Sequence, residues 1–272
     1  MLTRKSPILK NLVSKQLTHG GDHKSIHDEE VDFGVPTIRL DDDPEDFAAL
    51  LDKLIPPSTI PPPLNMERVH AVLRLSEKYA FEDVRGGIVT ILNTSFPRSM
   101  PDLENDPELR IYGDHATAAF LVSAARSTEL HQLLPLAFYS LATKPWSDSP
   151  ATFAALTILS PSDQIRIHRG RAAIQKFIMA RAIVMPENCM ERHHCTNRRI
   201  IGQCAMGLNI NEVWSSPAHT LNELLRDPLL ELHNRRKRPY LSLCKPCGES
   251  VISGSTTLRE DLFNKLPDFF GL

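Results

Sequence analysis

The stretch VHAVLRLSEKYAFEDVRGGIVTILNTSFP, Val69 to Pro97, decides how the chain folds. Val69, Val72, Leu73 and Tyr79 recur at helical spacing, and Phe81, Val84, Ile88, Ile91 and Leu92 start a second period after a short break. Two antiparallel helices fit this pattern, with Asn65 placed to cap the first and Pro97 to end the second.

Outward from there, IPPSTIPPP breaks the chain on the N-terminal side, because consecutive prolines remove amide donors. Before it, PEDFAALLDKLI sets Phe47, Leu50, Leu51 and Leu54 on one helical face. VPTIRLDDD suits one strand ending in an acidic cap, and residues 13–34, polar and His/Asp/Glu-rich, read as a flexible loop. On the C-terminal side, PDLENDPE marks a linker over residues 99–113. Asp114 then caps HATAAFLVSAAR, Thr128 opens ELHQLL, and Pro135 sits in the first turn of LPLAFYSLAT, where its missing amide costs least. In SPSDQIRIHRGRAAIQKFIMARAIV, core packing is the reading for Ile165, His168, Ala172, Ile178, Met179 and Ala182. The expected fold is mainly α with a small α/β portion: a module over residues 1–98, the linker, and a helical module over 114–272. Leu50, Leu73, Tyr79, Ile91 and Phe96 are its core candidates.

The 272 residues are 42% hydrophobic and 24% charged, as in ordinary folded proteins. The longest comparable apolar run, Ala118 to Ala125, is well short of the roughly 18 residues of a membrane span, so no membrane association is expected. The N-terminus lacks an apolar h-region and a cleavage site, which points to an intracellular protein, cytoplasmic or nuclear, with reduced thiols. Net charge is −2, split as 15 Lys+Arg against 22 Asp+Glu over residues 1–160 and 16 against 11 over 161–272. That basic excess is too weak for a nucleic-acid footprint. The run Asn234-Arg235-Arg236-Lys237-Arg238-Pro239 reads as a solvated loop, with a nuclear-import patch as the other reading.

G-x-S-x-G, H-E-x-x-H, G-x-G-x-x-G and the P-loop motif are all absent, and the protein is read as not an enzyme. His27-Asp28-Glu29 with C-x-x-C imitates part of a zinc deaminase, but Leu243 stands where that motif needs proline, and over 200 residues separate the halves. All five cysteines fall in the last third. Cys244 and Cys247 have the spacing that points two thiolates at one tetrahedral zinc, and Cys189 and Cys195 enclose His193 and His194. A site of Cys189, Cys195, Cys244 and Cys247, with His193 or His194 as a substitute ligand, would staple the 48 residues between its halves by roughly 10 kcal/mol. A structural zinc, a redox pair and unliganded thiols all remain open on spacing alone.

Taken in order, SPILKNL, VPTIRLDDDPEDFAALLDKLI, the 69–97 stretch, LLPLAFYSLAT and LCKPC…LPDFFGL resemble the BTB/POZ-domain proteins of basidiomycete-type fungi. The match is strongest from Leu73 to Pro97, with helices ending in "KY" and "FP", and the LPxxFGL tail follows C-x-x-C as in such proteins. The resemblance implies a non-catalytic protein–protein interaction protein, with an adaptor of a cullin-type ubiquitin ligase or a transcription-associated regulator as alternatives. It also implies an N-terminally incomplete domain, because Ser6-Pro7-Ile8-Leu9 matches a segment that follows the first strands and helix. The resemblance implies protein partners and a homodimer, but the family's dimer contact uses those missing elements, which puts the homodimer in doubt.

Overall fold

The computed structural model describes residues 6–19, 40–54, 65–105, 114–144, 150–182, 222, 224–237 and 245–272. Helices make up 86% of these, and no strand occurs among the described residues, so the chain is mainly α. The strand read at residues 35–40 lies outside them except for Leu40. The chain divides into two compact units, Met1–Ser95 and Phe96–Leu272.

In the first unit, α1 (Pro7–His19) begins where Ser6 Oγ accepts the Leu9 amide at 3.0 Å, with Pro7 in the first turn. Residues 13–19 are therefore helical, not loop: a cap, a proline and the Leu9/Val13 step outweigh the polar composition. Helix α2 (Pro44–Leu54) starts at Asp43, whose Oδ1 accepts the Glu45 amide at 2.8 Å, and α3 (Met66–Lys78) starts at Asn65, which accepts from Arg68 at 3.0 Å. Helix α3 packs against both α2 and α4 (Glu82–Ser95) and buries Val69, Val72, Leu73 and Leu75.

The turn between α3 and α4 is a Schellman motif: Phe81 donates its amide to Ser76 O at 2.7 Å and Ala80 to Glu77 O at 3.1 Å. Ala80 takes φ +54°, the left-handed region that costs a non-glycine residue roughly 1–2 kcal/mol. Burial of Tyr79 and Phe81 on either side offsets that strain. Of the core candidates, Leu50, Leu73, Tyr79 and Phe96 are buried, whereas Ile91 is half-buried and the adjacent Leu92 takes the core position.

The second unit contains α5 (Met100–Asn105), α6 (His115–Ser127), a 3-10 turn (His131–Leu133), α7 (Leu134–Thr143), α8 (Pro150–Ile158), α9 (Pro161–Ala182), α10 (Pro228–Lys237) and α11 (Lys245–Phe270). The segment read as a linker thus begins with a helix, anchored by the fully buried Leu103. Asp114 caps α6 through the Thr117 amide at 2.8 Å, as expected. Thr128 closes that helix instead of opening the next: its amide bonds Ala124 O, and Glu129 and Leu130 complete a second Schellman motif.

Helix α7 is the central element, packed against α6, α9 and α11, and it is apolar almost all round. Arg171 of α9 donates to the carbonyls of Ala142 and Lys144, answering two acceptors at the end of α7. The C-terminal tail locks into this core. Phe270 stacks on Phe138 with centroids 5.5 Å apart, in a hole that exists because residue 170 is glycine: a Cβ there would overlap the Phe270 ring. Gly271 at φ +61°, with Leu272 bonded to Pro267 O and Gly271 to Asp268 O, ends the chain in a third Schellman motif.

Candidate functional site

The sequence-derived metal ligands fall largely beyond what is described. Cys189, His193, His194, Cys195 and Cys244 lie outside the described residues, and Cys247 lies in the first turn of α11. No group of three potential metal ligands occurs among the described residues.

Three polar clusters stand out among the described residues. In the first unit Asp42, its side chain 2% exposed, accepts from Tyr79 Oη and from Lys78 Nζ at 2.7 Å, with Arg74 3.8 Å away. Burial pushes the Asp42 carboxyl up, but hydrogen bonds from Lys78 and Tyr79 and the charges of Lys78 and Arg74 outweigh it, and its pKa is lowered. Ser6 Oγ donates to the Tyr79 carbonyl at 2.6 Å, so this cluster fastens α1 and the start of α2 to the end of α3.

At the start of α9, Ser160 caps the helix: its Oγ accepts the Asp163 amide at 3.2 Å and donates to the Asp163 Oδ2 at 2.8 Å. Arg126 and Arg166 reach the same carboxylate at 2.5 and 3.1 Å.

The third cluster is the most buried. Tyr139 Oη donates to Asp227 at 2.7 Å and accepts the Leu229 amide at 2.9 Å. Burial and the Asp227 charge raise the Tyr139 pKa far above its ordinary value; burial also raises Asp227, against the hydrogen bonds from Tyr139 and Leu230. The phenol keeps its proton and both its bonding positions are filled. Beside it Arg259, 1% exposed, donates through Nε to the Leu229 carbonyl at 3.0 Å and through Nη1 to Glu104, which also receives Arg236. His233 lies 3.3 Å from Arg236; burial, then the charges of Arg259 and Lys237, hold it below the usual histidine range. Every carboxylate in these clusters meets at least one donor from another part of its unit, and each cluster fastens helices together.

The basic run is part of that fastening. Arg235, Arg236 and Lys237 form the last turn of α10, where cations suit the helix dipole. Arg235 is buried and pairs with Glu231 at 2.9 Å, and Arg236 holds Glu104. The solvated-loop reading therefore does not hold for residues 234–237, and Arg238 and Pro239 lie outside the described residues.

The surface of α9 differs in kind. Asp163, Ile167, Gly170, Ile174 and Ile178 face the core, a stripe of three- and four-residue steps. Ile165, His168, Ala172 and Met179, read from the sequence as core, lie on the opposite side, with Ile165 50% and Met179 48% exposed. Both stripes satisfy helical spacing; packing of α7 and α11 against α9 selects the isoleucine one. The outward side of this 22-residue helix thus carries two large apolar side chains, Ile165 and Met179, fourteen residues apart, with the small Ala172 midway between them. The signal in the sequence was the second stripe, Ile167-Ile174-Ile178, which competes for the core.

No helix among the described residues is long and apolar enough to cross a membrane. The chain matches no protein-family model, no curated protein and no solved structure.

Proposed function

We propose that the protein is a non-catalytic protein–protein interaction protein and that the outward face of α9 is its docking surface. The observation that carries this reading is the exposure of Ile165 and Met179 on a helix whose other face is packed. With about half of each side chain exposed, leaving the two in water forgoes roughly 1 kcal/mol each, which a partner surface recovers on binding. The resemblance of residues 69–97 to BTB/POZ modules supports the same reading, since such modules act by assembling other proteins. In this proposal the clusters around Asp42, Asp163 and Arg259 hold the scaffold rigid, and function lies in what is bound.

The test is affinity purification of the full-length chain from its native cells beside an Ile165→Asp/Met179→Asp variant. A stoichiometric partner lost from the variant, with its melting temperature unchanged, is expected. Recovery of the same partners by both forms, or substrate turnover by the purified chain, would refute the reading. A cullin scaffold among the lost partners would make the protein a ligase adaptor.

A further inference from the structure

Resting on that reading, we infer that the partner of α9 is an acidic amphipathic helix. At about 100° per residue, Ile165, His168, Arg169, Ala172, Lys176 and Met179 fall within an arc of about 100°, all exposed. Ile165, Ala172 and Met179 form an apolar seam at seven-residue intervals, the repeat with which one helix packs along another. Arg169 and Lys176, themselves seven apart, border that seam, and neither makes an ion pair among the described residues.

No carboxylate balances them on this helix. Asp163 is the only acidic residue of α9, and it is buried on the other side with Arg126 and Arg166. The next basic residue, Arg181, is already paired with Asp261 and lies over Phe177. The exposed face thus offers an apolar seam bordered by two cations at fixed spacing that make no ion pair among the described residues. A partner helix with apolar residues at the same repeat and glutamate or aspartate beside them satisfies both features.

The same charges argue against a second copy of this chain. Pairing α9 with itself would set Arg169 and Lys176 of one protomer against those of the other, and like charges across a helix seam are repulsive.

The experiment uses two synthetic 22-residue peptides sharing a leucine seam at heptad spacing, one flanked by glutamate and one by lysine, titrated onto the full-length chain by fluorescence anisotropy. The glutamate peptide is expected to bind at least about tenfold tighter at low salt, with the ratio shrinking as ionic strength rises. Arg169→Glu/Lys176→Glu is expected to reverse the preference, and Ile165→Asp/Met179→Asp to remove binding of both peptides, each variant first shown to melt as the parent does. Equal binding of the two peptides, or a preference for lysine, would overturn the inference. So would tighter binding to anionic phosphatidylserine vesicles, or self-association abolished by Ile165→Asp/Met179→Asp. In all of these cases the docking role is judged separately, by whether the apolar double variant still loses its cellular partner.

Discussion

The Asp42 and Arg259 clusters use the same ingredients, a carboxylate, a tyrosine nearby and converging cations, but invert which partner is buried. In the first unit the acid is interior and its cations, Lys78 and Arg74, are about half exposed at 47% each. In the second unit the cation Arg259 is interior and the acid, Glu104, keeps 31% of its side chain in water. The difference fixes what can be removed cheaply. A buried carboxylate can take a proton when its partners fail it, whereas a guanidinium cannot lose one in an accessible pH range, so stranding Arg259 strands a charge.

The sharpest way to break this comparison is to remove Glu104. Glu104→Gln is expected to cost the second unit about 3 kcal/mol in urea unfolding, because Arg259 loses its counter-charge while remaining buried. Arg259→Met keeps the apolar stem and takes the charge away, and its cost should be about 1–2 kcal/mol, that of a Leu229 carbonyl without its donor. If Arg259→Met proves the worse of the two, the inversion described above is wrong.

Gly170→Ala comes next. Alanine is the better helix former by about 1 kcal/mol, but its Cβ would occupy the space of the Phe270 ring, itself stacked on Phe138, so a net loss of about 2 kcal/mol is expected. Hydrogen exchange should place that loss in α7, α9 and α11 while amides of the first unit keep their protection. Uniform loss across both units would show that they do not unfold independently.

The smallest effect is one of pH. Because the folded Asp42 pKa lies below its ordinary value of 3.8, its contribution is complete at neutral pH and disappears as pH falls from that value through the lowered one. Protection of α3 and α4 amides should therefore drop on acidification into that window, and Asp42→Asn should flatten the dependence. An unchanged profile in Asp42→Asn would assign the acid sensitivity to other carboxylates.

Much of the helix pattern was legible because it is local. Asn65 and Asp114 announced caps, Pro135 announced a first turn, and the α2 and α3 periods placed Leu50 and Leu73 in the core, whereas in α4 Leu92 took the place expected for Ile91. Ser6-Pro7 carried an equally local signal, cap plus first-turn proline, which composition masked. The outward apolar face of α9, the proposed docking surface, was legible only as an ambiguity: α9 holds two apolar stripes, and periodicity cannot say which is covered. Arg259 and Glu104 gave no signal at all, since they are 155 positions apart and each looks like an ordinary charged residue of its own segment.

The sequence by itself determined several helix starts, at Asn65, Asp114 and Pro135, because caps and first-turn prolines act over a few residues through their own backbone hydrogen bonds. Only the tertiary structure decided which face of α9 meets water, which cation of the basic run is buried, and why residue 170 has no side chain. Those outcomes depend on which distant elements arrive at the same place, and burial is a property of the assembled surface, with no counterpart in local spacing.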